Sequence, residues 1–152
     1  MTSGADNAFV VDASVAIKWH LQDEELVEEA TRLLDRFTSG LLRLRAPAFI
    51  RYEMANSLEQ ARRRGRIGAD EASAELHTFV AYGVHTAMDS DELIGAAQQI
   101  ARAASLSLYD AVYLAYAEAA GLPLITQDQR LARQAIGGTV MVYPLADVGA
   151  LL

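Results

Sequence analysis

Four carboxylates in this chain stand where solubility alone explains them poorly. Asp12 closes the apolar run Phe9-Val10-Val11, and Asp128 follows Leu124-Ile125-Thr126-Gln127 in the same way. Each could simply cap the helical turn after it, which aspartate does well. Two acids at the ends of two strands of one sheet would, however, share a rim. Asp110 lies one turn into a helical stretch, with Leu106 at i−4, Tyr113 at i+3, Leu114 at i+4 and Ala117 at i+7. That is the core-facing side, where an unpaired carboxylate is costly. Glu53 borders the stripe Ile50, Met54, Leu58 and Ala61, with Asn56 and Gln60 continuing a polar line beside it. Alone it reads as an ordinary surface glutamate.

Converging carboxylates repel one another: two unit charges ~4 Å apart interact by about 4 kcal/mol at an effective dielectric of 20. A divalent cation or shared protons make such a cluster tolerable. The chain has no cysteine, and its three histidines (His20, His77, His85) are far apart and form no H-E-x-x-H pair. Zinc is therefore disfavoured, and ligation by oxygen alone points to Mg²⁺ or Mn²⁺. Metals held by carboxylates activate water and neutralise charge on a scissile phosphodiester.

The elements that must position these acids follow from length and periodicity. With 152 residues, 52% apolar and 22% charged, the chain is expected to fold as one domain over residues 1–152, with residues 1–7 as a polar extension. Short apolar runs predict strands at Ala8–Asp12, ending in the carboxylate, and at Leu42–Ala46, Val84–Ala87, Leu124–Thr126 and Val140–Tyr143. Between them, three- and four-residue spacing predicts helices over Glu24–Phe37, Ala48–Arg64, Ala69–Tyr82, a stretch from Ser90 to Ala104, Leu108–Ala120 and Asp128–Ile136. The alternation argues for an α/β fold, a mainly parallel sheet covered on both faces, with ligands at the carboxyl ends of its strands. No stretch suits a membrane span or an export signal, so a cytoplasmic protein is expected.

Four blocks of the chain together resemble the PIN-domain ribonucleases, and within them the VapC toxins of type II toxin–antitoxin modules. The blocks are Val10-Val-Asp-Ala-Ser-Val-Ala-Ile-Lys-Trp19, Pro47-Ala-Phe-Ile-Arg-Tyr-Glu-Met-Ala-Asn56, Leu108-Tyr-Asp-Ala-Val-Tyr-Leu-Ala-Tyr-Ala117 and Leu124-Ile-Thr-Gln-Asp-Gln-Arg-Leu131. The resemblance implies a three-layer α/β/α sandwich and a Mg²⁺- or Mn²⁺-dependent endoribonuclease. It carries the family's acidic quartet onto Asp12, Glu53, Asp110 and Asp128 as catalytic and metal-binding residues, and its accompanying polar positions onto Ser14, Asn56 and Thr126. It also implies an RNA substrate, a small cognate antitoxin and a homodimer.

The charge balance constrains how RNA would be held. Thirteen basic against twenty acidic residues give a net charge of −7, so attraction to a polyanion must be local. Arg62, Arg63, Arg64 and Arg66 form the one dense basic run and are candidate backbone contacts, although cations also favour a helix end for its dipole alone. Two other acidic-pocket classes fit less well. A phosphoacceptor receiver needs an acidic pair on its first strand and a lysine near its last, whereas Lys18 is the single lysine here. A haloacid-dehalogenase-type phosphatase needs Asp-x-Asp, and Asp12-Ala-Ser14 lacks it. A catalytically idle PIN scaffold stays open at this point.

Overall fold

The computed structural model describes residues 7–134 and 138–152. The strand β1 (Ala8–Val11) is continuously apolar, as suits a strand covered on both faces, and Val10 and Val11 are fully buried. It lies between β2 (Arg43–Pro47) and β4 (Leu124–Thr126), in register Val10↔Arg45 and Val10↔Leu124. With β3 (His85–Ala87) and β5 (Val142–Pro144) at the edges, the order is β3-β2-β1-β4-β5 and every pairing is parallel. The chain thus runs outward from β1 to β3, then returns to the other side of β1 for β4 and β5. Its direction of growth reverses between β1 and β4, and open parallel sheets bind ligands at the carboxyl end of that gap.

Helices cover both faces of the sheet, giving the α/β/α sandwich. They are α1 (Ala13–Ala16), continued by a 3₁₀ turn at Ile17–Trp19, then α2 (Val27–Thr38), α3 (Ile50–Arg63), α4 (Ala69–Tyr82), α5 (Asp91–Ala104), α6 (Leu108–Ala120) and α7 (Gln129–Gln134). Ser90 and Ser107 cap α5 and α6, their hydroxyls accepting from the N–H of Leu93 and Asp110. In α6 the seven residues from Ala111 to Ala117 are all buried, the signature of a helix inside the molecule. Alanine makes its close approach to α5 possible: Ala97 packs against Ala111, Val112 and Ala115.

Several boundaries differ from the periodicity: β2, α3, β3 and the start of α7 shift by one or two residues, and two others differ for a local reason. Helix α2 starts at Val27 rather than Glu24, because Leu26 adopts a left-handed conformation (φ 57°) and Glu24 is engaged by Lys18 and Arg66. The strand β5 is Val142–Pro144 rather than Val140–Tyr143, set by its register with β4, Leu124↔Val142 to Thr126↔Pro144. The expected run of the last helix to Ile136 and most of the expected polar extension lie outside the described residues. Among the described residues, no helix is long and apolar enough to cross a membrane.

Candidate active site

Asp12 immediately follows β1, so it sits at the carboxyl end of the gap where the sheet reverses. It occupies the N-cap position of α1 without a side-chain capping bond. Both carboxylate oxygens turn elsewhere: Oδ1 accepts from Ser14 Oγ (2.5 Å) and Oδ2 from Thr126 Oγ1 (2.5 Å). The Thr126 bond crosses from β1 to β4. The two hydroxyls are oriented in turn, because Ser14 Oγ accepts from the Gln127 N–H (2.9 Å) and Thr126 Oγ1 from the Asp128 N–H (3.0 Å). Each hydroxyl proton is thereby directed at Asp12. The carboxylate is 5% exposed, and burial is the main force pushing its pKa up to about 6. The Ser14 and Thr126 hydroxyls pull it down, while the charge of Asp128 raises it further.

Asp128 combines capping with proximity to this site. Its Oδ1 accepts from the N–H groups of Arg130 (2.8 Å) and Leu131 (3.2 Å), closing the start of α7. The capping reading of the sequence is therefore correct for Asp128 and incorrect for Asp12.

Glu53 reaches the same region from α3, in the first turn after Ile50. Its Oε1 accepts from the Tyr113 hydroxyl of α6 (2.5 Å). Its pKa is pushed up to about 7, chiefly by burial, against the Tyr113 hydrogen bond and with the charges of Asp12 and Asp110 adding to the rise. Asp110 is half-buried in the first turn of α6. Asp128 thus acts on Asp12, and Asp12 and Asp110 act on Glu53, which links carboxylates from four separate elements. Tyr113 belongs with them and was legible only as an apolar position one turn from Asp110. It is 2% exposed, and burial and the nearby charges of Glu53 and Asp12 raise its own pKa, so it stays a neutral donor. Asn56, expected beside the quartet, is exposed on α3 and joins none of these hydrogen bonds among the described residues.

The donor set is carboxylate and hydroxyl oxygen, which suits a hard divalent cation such as Mg²⁺ or Mn²⁺. Burial is the main cause of the raised pKa values of Asp12 and Glu53, and the neighbouring carboxylates add a smaller repulsion that a cation would relieve. Among the described residues no three acidic or histidine side chains stand close enough to hold one between them. The residues therefore fit the ion in chemistry and charge, and closing on it requires side-chain movement.

The basic run ends α3, away from these hydrogen bonds. Arg66 is committed to Asp23 and Glu24 (2.6 and 2.7 Å), and Arg62 to Glu59 (2.5 Å). Of the four arginines in this run, Arg63 and Arg64 have no acidic partner among the described residues. Lys18 is buried and pairs with Glu24 (3.6 Å), so it does not face the acids as a receiver's lysine would. Of the aromatic residues at loops and helix faces, Trp19 belongs to the core, with its indole N–H donating to Ala30 O (2.9 Å). Tyr52 and Tyr109 are 77% and 59% exposed, beside Glu53 and Asp110 in sequence.

The parallel sheet and its flanking helices make this an α/β/α sandwich, with carboxylates contributed by the β1–α1 turn, α3, α6 and the β4–α7 turn. Comparison with known proteins identifies it more closely. The PIN domain family model matches residues 9–137, and the chain belongs to that family. Ribonuclease VapC3 of Pyrobaculum aerophilum is 33% identical over 129 residues, spanning 82% of this chain and 92% of that protein. VapC ribonuclease Mb0985 of Mycobacterium bovis is 33% identical over 123 residues, spanning 80% and 87%. The crystal structure of PAE2754 from Pyrobaculum aerophilum superposes with a TM-score of 0.72 at 22% identity, over 99% of this chain and 92% of that one.

Proposed function

We propose that this protein is the toxin ribonuclease of a toxin–antitoxin pair, hydrolysing RNA phosphodiester bonds with Mg²⁺ or Mn²⁺. The cluster of Asp12, Glu53, Asp110 and Asp128 in a PIN-family chain carries this reading, supported by curated relatives that are named ribonucleases. A divalent ion bound there would neutralise charge on the scissile phosphate and lower the pKa of water. Asp12 is its best-oriented ligand, because two hydroxyls fix both carboxylate oxygens in a buried site. Asp110 offers a half-buried carboxylate to the same region. Glu53, with a pKa near neutrality, is suited to take a proton from the attacking water, its Oε1 being held by Tyr113. Asp128 keeps Oδ2 available while Oδ1 caps α7. The same uncompensated acids are a receptor for a basic side chain, which is how a small antitoxin would cover the cleft of a homodimeric toxin.

The purified protein should cleave single-stranded RNA with Mg²⁺ or Mn²⁺ and stop when the ion is chelated. Asp12→Asn and Asp110→Asn should each lower the rate by at least two orders of magnitude, the scale of losing a positioned catalytic group. Cleavage that survives both chelation and Asp12→Asn would refute the assignment.

A further inference from the structure

Beside the acidic site the surface opens into a cleft of about 390 Å³, lined by Ser105, Leu106, Ser107, Asp110, Arg130 and Arg133. Its volume is within the ~300–1,000 Å³ range of small-ligand clefts. One wall is the tight turn between α5 and α6, which Ser105 makes possible by adopting a left-handed conformation (φ 54°). The other wall is α7. Arg130 and Arg133 are three residues apart on that helix and so share a face. Both are exposed, and neither has an acidic partner among the described residues, unlike Arg62 and Arg66.

We infer that this cleft is the subsite that holds an RNA phosphate next to the scissile one. Three observations carry the inference. Two guanidiniums in one cleft provide planar forks suited to phosphate oxygens. Ser107 Oγ accepts from the Asp110 N–H (3.1 Å), and its own O–H is committed to no acceptor among the described residues. It is therefore free to donate to an anion. The position of the arginines is also tied to the acidic site itself. Asp128 accepts from the Arg130 N–H, and Leu131, 1% exposed, anchors α7 to the core between the two arginines. Asp110 lines the same cleft and would repel an anion unless a cation offsets its charge. A phosphodiester strand meets both conditions, with one phosphate at the carboxylates and the next at the arginines. Strand polarity would thus be set by α7, and an acidic protein would gain its local cationic contact at the point of cleavage rather than at the end of α3. The inference rests on the ribonuclease reading above.

The test is binding of a fluorescent single-stranded RNA to the Asp12→Asn protein across a salt series. Each phosphate contact contributes about 0.7 to the slope of log K against log salt for single strands. Arg130→Ala with Arg133→Ala removes the hold on that one phosphate and should lower the slope by about 0.7. If the contact vanishes near 1 M salt, affinity at 0.15 M should fall roughly fourfold. Arg130→Lys with Arg133→Lys should retain most of the slope, and Arg63→Ala with Arg64→Ala all of it. An unchanged slope in the folded Arg130→Ala, Arg133→Ala protein would overturn the subsite while leaving the ribonuclease reading intact. A loss of slope confined to Arg63→Ala, Arg64→Ala would also overturn it and assign RNA to the end of α3. Failure of the Asp12→Asn parent to bind RNA at all would overturn the function, and the subsite with it.

Discussion

Removing the charge of Asp12 should stabilise the metal-free protein, although it should abolish activity. The folded state holds the Asp12 proton up to about pH 6, whereas an exposed aspartate releases it near 3.8. Between these values the folded chain binds more protons than the unfolded one, so stability falls as pH rises. The contribution is intact below about pH 3.8 and is lost as pH climbs through 6. At 1.36 kcal/mol per pKa unit the interval is worth about 3 kcal/mol, fully lost by pH 8. The Asp12→Asn side chain has no such charge, and its amide can still hydrogen-bond the Ser14 and Thr126 hydroxyl oxygens. Imperfect replacement of the carboxylate reduces the gain to about 1–2 kcal/mol, or roughly 2–8 °C in Tm for a domain of this size.

The assay is thermal unfolding of wild type and Asp12→Asn in a metal chelator at pH 8 and pH 5. The variant should melt higher at pH 8, and its advantage should shrink to about zero at pH 5, where the wild-type penalty falls by about 1.4 kcal/mol as the carboxyl takes up its proton while the cost of imperfect replacement remains. Adding Mg²⁺ at ~100 times its dissociation constant should restore about 2.7 kcal/mol to the wild type and much less to the variant. A variant no more stable than wild type at pH 8 without metal would refute the reasoning. It would mean that the Ser14 and Thr126 bonds outweigh the burial of the charge.

Two further outcomes follow from the same geometry. Tyr113→Phe removes the hydrogen bond that lowers the Glu53 pKa, so the acidic limb of the kcat/KM profile for RNA cleavage should move to higher pH. Its stability cost, read by urea titration, should be about 1–2 kcal/mol; an unmoved limb would separate Glu53 from the proton transfer. Leu131→Ala should cost about 2–5 kcal/mol by the same titration, since the side chain is fully buried beneath α7. A much smaller loss would show that Asp128 capping alone holds that helix.

The parts of this molecule legible in its sequence are those where one physical requirement dominates. Helix α6 matches its expected bounds, because the Ser107 cap and Gly121, at φ 65°, mark its two ends. Helix α4 likewise ends at Gly83, at φ 74°. Asp110 stood out because a carboxylate amid an apolar stripe has a high energetic cost, yet it is half-buried at the edge of a cleft rather than facing the core. The entry to α2 was not legible, because its start depends on where Glu24 finds its cations, and Lys18 and Arg66 are brought to it by folding. The pairing of Arg66 was hidden for the same reason: density along the chain says nothing of Asp23, forty-three residues away.

Asp12 and Asp128 show the limit most clearly, since both follow a strand and both precede a helix. One caps and the other does not. The difference lies in Thr126 and Ser14, whose hydroxyls each accept a backbone N–H of the β4–α7 turn and so direct their proton to the other side. That proton needs an acceptor, and Asp12, buried beside them, supplies it at the expense of capping α1. The turn after β4 thus orients the acid after β1. The choice between structural and chemical duty is made by hydrogen-bond direction between adjacent strands, which no spacing along the chain records.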